Sequence, residues 1–390
     1  MKIDARVQKV VILGPSLRFL SGISYVTLLL SNSLADYFSV TALLFRNMLP
    51  KKLFPGYKRV GETLADCSYR QDITVVELLD WYNPLTWVQA SKYIRRGDVI
   101  IFQWWTSSVA HMYLAIALMN MKKKPIVIEF HEIVDPLEHG FFVLRLYSKI
   151  MGTLIRRLAT FYIVHSEIDR QLISSHYEID LSRVRVIPIG LFDQYKKIDR
   201  GLAKDHLGIR EPNVILFFGL VRPYKGVKYL VEAFERLPPG FIQESRLLIV
   251  GEAWEDKELG KIIERSPVRS HISLIDRYIG DSEIPLYFSA ADALVMPYIR
   301  ASQSGVAHIG MEFGIPIIAT RVGGLEESLG KYEGTYFINP MDPDELARVI
   351  EQTLSDKKLF EPPGELRWDV IAGQWNDLIK NLQSDKYREE

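Results

Sequence analysis

Cysteine is almost missing from this chain: 390 residues contain one, Cys67. A lone thiol forms no internal disulfide and no cysteine metal cluster, which points to a reducing, cytoplasmic compartment. Cys67 sits in the polar run Asp66-Cys67-Ser68 and reads as incidental rather than nucleophilic. An excess of one charge is missing too. Lys plus Arg is 48 and Asp plus Glu is 48, so the basic surplus of a nucleic-acid binder is not there. Long apolar runs are also lacking. Val10 to Leu13 is stopped by Gly14-Pro15 and is too short for a secretory signal. The stretch Val109 to Met119, broken by His111, is about half the ~20 residues that span a bilayer. A protein integral to the membrane is therefore not expected. Nor does any strand-end loop carry an Asp-x-Asp pair. Asp342-Pro343-Asp344 has the spacing, but it follows Pro340 and opens a helix, where Asp is an ordinary cap. No metal and no cofactor is expected.

What is present is an ordinary globular balance, 48% hydrophobic and 25% charged, with enough apolar matter for two cores. At ~100–200 residues per domain, the length suggests two. Short apolar runs alternate with amphipathic segments. Strands are expected at Val10–Leu13, Asp98–Phe102, Pro125–Phe130 and Phe161–His165, with helices at Ile23–Ala35 and up to Leu118. The rhythm pauses near 190–200 and restarts. Strands follow at Val214–Phe218, Arg246–Val250, Ile272–Ile275, Ala293–Met296 and Ile315–Ala319, with helices at Lys228–Arg236 and Val306–Phe313. Continuous apolar strands separated by helices indicate parallel sheets covered on both faces. The fold class is α/β: two Rossmann-like doubly wound domains facing a central cleft. The expected division is 1–190, 191–365 and a terminal helical segment 366–390, which packs on its own domain or crosses back to the first. In such sheets ligands sit beyond the carboxyl ends of the strands.

Several of those strand-end loops are recognisable. Phe217-Phe218-Gly219-Leu220-Val221-Arg222-Pro223-Tyr224-Lys225-Gly226 resembles the Gly…Lys-Gly donor loop of family 4 glycosyltransferases. Leu248-Ile249-Val250-Gly251-Glu252, Ala291-Asp292 with Pro297, Ser302-Gln303-Ser304-Gly305-Val306, Phe313-Gly314-Ile315-Pro316 and Val322-Gly323-Gly324 follow in the expected order. The resemblance is dense from about 213 to 328 and weaker before that. It implies the two-Rossmann (GT-B) architecture, a nucleotide-sugar donor and transfer with retention at the anomeric carbon. The pattern departs at one place. Many members carry two glutamates eight positions apart, and here Ala301 and Ile309 stand at those positions, with Glu312 where small residues are usual. The chain looks instead like a subgroup with a Gln-Ser-Gly turn.

Sugar transfer needs the departing nucleoside diphosphate to be stabilised. Fixed cations and backbone amides do this without a metal. Arg222 and Lys225 lie in one short loop after a buried strand, and both residue types meet phosphate well. Ser304, Gly305 and Val306 should open a helix, whose amides and dipole favour an anion. A simple Ser-capped helix is compatible with that. Gln303 precedes this turn. Glu252 either binds a donor hydroxyl or caps the next helix, and Glu326 and Glu327 are similar cases. In the N-terminal half, Gly22 closes the first βα loop, which resembles the family's glycine-containing loop or is an ordinary turn. His131 follows a strand where family members carry a His near donor sugar and acceptor, which implies a role hydrogen-bonding the sugar or orienting the acceptor hydroxyl. His165 resembles a structural segment. Of Trp104 and Trp105, one is expected to line the acceptor side, Trp105 being the choice; core packing is the other reading.

The function these readings support is a metal-independent, retaining hexosyltransferase, moving sugar from a nucleotide-diphosphate donor to a glycan or lipid-linked glycan. Two rivals stand beside it: a nucleotide-sugar epimerase or hydrolase on the same fold, and a donor-binding protein without turnover. The segment Phe141 to Leu158 sets Arg145, Lys149 and Arg156 on one helical stripe with Arg157 beside it. Lys122-Lys123-Lys124 and Arg95-Arg96 add charge to the same half. Such a face fits either a solvated helix surface or peripheral contact with the inner membrane face.

Overall fold

The computed structural model describes residues 8–48, 60–61, 65–120, 123–134, 142–254 and 258–382. Phe141 and Lys122 lie outside the described residues. The chain divides into two compact units. The first holds the described residues up to Gly190, except 65–66, and takes in 365–382. The second holds 65–66 and Leu191–Gly364.

The first unit is built on strands β1 (Lys9–Pro15), β2 (Ser39–Asn47), β3 (Thr74–Asp80), β4 (Val99–Trp104), β5 (Ile126–Phe130), β6 (Phe161–Val164) and β7 (Val184–Val186). They pair in parallel in the order β3-β2-β1-β4-β5-β6-β7. Helices α1 (Gly22–Leu34), α2 (Pro84–Ile94), α3 (Ala110–Leu118), α4 (Phe142–Leu158) and α5 (Glu167–Tyr177) make the crossovers. Every residue of β4 and β5 is buried, because helices cover both faces of a parallel sheet. The strand order reverses between β1 and β4, so their following loops diverge and leave room for a ligand at the sheet's carboxyl edge.

The second unit repeats the plan. Its strands are β8 (Asn213–Phe218), β9 (Ser245–Val250), β10 (Ile272–Ile275), β11 (Ala293–Met296), β12 (Ile317–Thr320) and β13 (Thr335–Ile338). Their order is β10-β9-β8-β11-β12-β13, again parallel. The helices are α6 (Arg200–Leu207), α7 (Val227–Glu235), α8 (Pro239–Gln243), α9 (Leu259–Arg265), α10 (Ile284–Ala290), α11 (Gly305–Glu312), α12 (Leu325–Leu329) and α13 (Pro343–Ser355). Asp342 caps α13, its carboxylate accepting from the Glu345 amide at 2.9 Å. The neighbouring Asp344 pairs with Arg236 at 2.7 Å.

The last helix, α14 (Trp368–Asn381), returns to the first unit and packs on α1. Trp368, Ile371, Trp375 and Leu378 recur at helical spacing and are buried together. Gly190 makes room for it: a Cβ there would come within 2.5 Å of the Trp368 ring. Among the described residues, no helix is long and apolar enough to cross a membrane.

Candidate functional site

In the second unit the loops at the carboxyl ends of β8, β9, β11 and β12 are fastened to one another by glycines. Gly219 leaves β8 at φ +106°, a region that side-chain-bearing residues avoid. A Cβ on it would sit 3.2 Å from Lys225 Nζ and 3.3 Å from Val306 Cγ2. The donor-loop lysine and the first turn of α11 therefore converge on one spot, held open by a missing side chain. Gly226 (φ +66°) ends the same loop against the Pro297 carbonyl, which a Cβ would overlap at 2.0 Å. The Ile299 amide donates to Tyr224 O at 2.7 Å and the Val221 amide to Glu252 O at 2.9 Å. Gly323 and Gly324 press on the backbone of Ala301 and Ser302 in the same way.

Arg222 and Lys225 stand in this framework without a carboxylate in ion-pair range among the described residues. The Arg222 guanidinium lies over Trp254, 4.8 Å from the ring centroid, and its Nε is buried without a partner. Lys225 Nζ lies 5.2 Å from the Tyr298 ring centroid. Burial is the main cause that lowers the Lys225 pKa to about 8, with the Arg222 charge adding to it and Tyr224 opposing it. An anion entering here would meet uncompensated positive charge. The helix start adds to that. α11 carries no acid in its first turn, and the Ser304 side chain does not cap it. The first amides of a helix lack intrahelical acceptors and are directed at whatever lies before them.

Gln303 sits beside Gly324, its amide nitrogen buried without a partner and 2.8 Å from where a Gly324 Cβ would be. Glu252 lies in the loop that hydrogen-bonds the donor loop. Glu326 is spent on the surface, paired with Arg321 at 2.7 Å. Ile309 is buried in α11. The sequence reading missed Trp254 and Tyr298, the aromatic faces under the two cations. Their signal was position alone, since each lies in a strand-end loop already singled out.

In the first unit His131 occupies the loop after β5, anchored by its own amide, which donates to Trp104 O at 2.8 Å. It is buried, and both ring nitrogens are engaged. Gln103 donates from its amide nitrogen to Glu129 Oε2 at 2.5 Å, so its oxygen faces His131 Nε2, also at 2.5 Å. His131 Nδ1 lies 3.3 Å from His165 Nε2, and His165 Nδ1 donates to Ile187 O at 2.9 Å. Glu129 Oε1 stands 3.9 Å from His165 Nε2. Burial raises the Glu129 pKa to about 7 and lowers that of His165 to about 4; it also lowers His131, with His165 adding to the effect. The donor atoms of Glu129, His131 and His165 lie within 4.8 Å of one another, which makes them the group able to hold a metal ion among the described residues. Gln103, Glu129 and His165 were not predicted as site residues. Gln103 and Glu129 are polar residues inside otherwise apolar strands, and that anomaly marks them.

Trp104 is core, packed against Phe130 and Tyr113. Trp105 is half-buried, edge-on to Phe45 at 5.7 Å, and keeps part of its face exposed. Gly22 opens α1 behind Ser21, whose hydroxyl accepts from the Ser24 amide at 3.2 Å. A Cβ on Gly22 would meet nothing within 4 Å among the described residues, so packing does not demand glycine there.

Comparison with known proteins finds similarity of sequence in the second unit and of fold in both. Residues 199–366 match the family described as Glycosyl transferases group 1. A D-inositol 3-phosphate glycosyltransferase from Geodermatophilus obscurus is 28% identical over 222 residues, 55% of this chain. The match spans 49% of that relative's length. Sucrose-phosphate synthase from Thermosynechococcus elongatus superposes with a TM-score of 0.70 over 96% of this chain and 99% of its own, at 17% identity. Anabaena Alr3699/HepE in complex with UDP gives 0.63 over 97% and 98%, at 18% identity. The two doubly wound units share the fold of these GT-B proteins, and the stretch from 199 to 366 is similar in sequence to the group 1 glycosyl transferases.

Proposed function

We propose that the protein is a glycosyltransferase that moves a hexose from a nucleoside-diphosphate sugar to an acceptor hydroxyl on a glycan or lipid-linked glycan, with retention of anomeric configuration. The observation that carries this reading is the convergence at Gly219 of Lys225 and the start of α11, beside Arg222, with no ion pair to either cation among the described residues. In the reaction the bond between the anomeric carbon and the β-phosphate oxygen breaks, and its electron pair leaves with the diphosphate. Arg222, Lys225 and the amides of Gly305 and Val306 take up that charge. The acceptor oxygen bonds to the anomeric carbon on the same face, and its proton passes to the departing phosphate oxygen. The protein's own cations serve in place of a metal. Gln303 and Glu252 hold donor hydroxyls in the role that paired glutamates would otherwise fill. On this reading, His131 of the first unit orients a reacting hydroxyl, and Gly22 and Trp105 are acceptor-side residues.

The test is product analysis by NMR with a panel of nucleotide sugars, each with and without acceptors. Transfer dependent on acceptor, with the donor's anomeric configuration kept, is the expected result. Turnover of donor alone to an epimer or to free sugar would overturn it.

A further inference from the structure

The first unit carries an exposed apolar surface that the proposed transfer chemistry does not use. On α4, Phe142, Val143, Leu146, Ile150, Leu154 and Leu158 are exposed, with Phe142 and Val143 at 71% and 73%. At 100° per residue, Val143, Leu146, Ile150 and Leu154 fall on one outward stripe, opposite the buried Ser148 and Ile155. Arg145 and Lys149 are exposed along one flank of that stripe, and Arg157 lies within it. Between 142 and 158 there is no Asp or Glu.

The surface continues onto α2. Tyr82, Leu85 and Val88, in the turn before α2 and its first half, are exposed, Leu85 at 71%. His111 of α3 ties the two helices together: one ring nitrogen meets Tyr147 Oη of α4 at 2.6 Å, the other the Trp81 carbonyl just before Tyr82, also at 2.6 Å. Trp81 and Trp87 pack against His111. The patch is thus apolar and edged with cations, with half-buried indoles and an exposed phenol at one end.

We propose that this face is a docking surface for an anionic lipid bilayer, with α4 lying in the plane of the interface. The charge pattern selects that occupant. A helix with an apolar stripe, cations alongside and no acids is matched by a negatively charged headgroup layer over acyl chains. Trp and Tyr sit favourably at the boundary between them. A second copy of the chain does not fit as well, because a two-fold contact through α4 would set Arg145, Lys149 and Arg157 against the same residues of its partner. The surface goes beyond the transfer reading and does not depend on it.

The experiment is flotation of the full chain, without substrate, on vesicles of phosphatidylcholine alone and of phosphatidylcholine with phosphatidylglycerol. Binding to the anionic vesicles only, weakened by salt, is expected. Two variants report on the two components. Arg145→Glu with Lys149→Glu removes two charge contacts and adds two repulsive ones, and at about 1 kcal/mol per lost contact partition should fall on the order of 30-fold or more. Leu146→Glu with Ile150→Glu should abolish binding while circular dichroism stays unchanged, since both side chains are exposed. Absence of binding, binding indifferent to lipid charge, or binding unchanged in both variants overturns the proposal. So does a concentration-dependent dimer in sedimentation that the Leu146/Ile150 variant dissociates, since that assigns the face to a second copy.

Discussion

His131 Nδ1 and His165 Nε2 face each other at 3.3 Å inside the first unit. The partners on the far sides of the rings fix the tautomers. Gln103 oxygen requires a proton on His131 Nε2, and the Ile187 carbonyl requires one on His165 Nδ1. When both rings are neutral, two bare nitrogens therefore point at one another. A single proton entering the gap relieves that, while burial opposes it and lowers both histidine pKa values.

The pair should accordingly take up one proton, not two, before the unit unfolds. In ¹⁵N NMR, acidification from pH 7 towards 4 should shift these two imidazoles together, as one titration. The stability consequence has a definite sign. Histidines with lowered folded pKa values bind fewer protons than in the unfolded chain, so stability falls as pH drops below about 6.5. Glu129, with its folded pKa raised to about 7, acts oppositely and costs stability as pH rises from about 4.5 to 7. Glu129→Gln should remove that second slope in denaturant titrations. Two separate histidine titrations near pH 6.5 would contradict the arrangement.

Lys225 predicts a proton uptake. Its pKa is about 8 in the unliganded protein, and a diphosphate beside it must raise that value, since an anion favours the charged form. Near pH 8, binding of UDP or GDP should take up a fraction of a proton, visible as a dependence of calorimetric heat on buffer ionisation enthalpy. Lys225→Arg should bind without that uptake. Affinity in the native protein should fall as pH rises through 8 and beyond.

Gly219→Ala should be disproportionately harmful for a single methyl. The left-handed backbone at φ +106° costs an alanine roughly 1–2 kcal/mol. The added Cβ also meets Lys225 Nζ and Val306 Cγ2 at 3.2 and 3.3 Å. Thermal unfolding should report the first loss and donor titration the second. An alanine variant with native stability and affinity would show that the convergence there has no part in binding.

Trp375 is 1% exposed in the interface of α14 with the first unit. Trp375→Ala should destabilise that unit by about 3–5 kcal/mol. Chemical denaturation should then show the first unit unfolding earlier, with nucleotide binding by the second unit retained.

The strands β1, β4, β5, β8 and β9 were legible because each is a continuous apolar run between turn residues. β3 was not, since it buries only its last two residues, Leu79 and Asp80. β7 has three residues, too few for a periodicity to form, and β13 buries only its last residue, Ile338. β2 presents no such difficulty: Ala42 to Phe45 is as apolar as β1 and carries the same signal. The cationic loop could be read because its residues are consecutive. The cluster of Gln103, Glu129, His131 and His165 could not, because it is assembled across β4, β5 and β6 by register, which local sequence does not state.

The most direct test of the account is calorimetric titration of UDP and GDP into the native protein, Arg222→Ala and Lys225→Ala at pH 7. Each charge-assisted contact to phosphate is worth about 1.5–3 kcal/mol, so each variant should bind roughly 10- to 150-fold more weakly while melting at the native temperature. Native affinity in both variants would contradict the claim that these two cations hold the diphosphate.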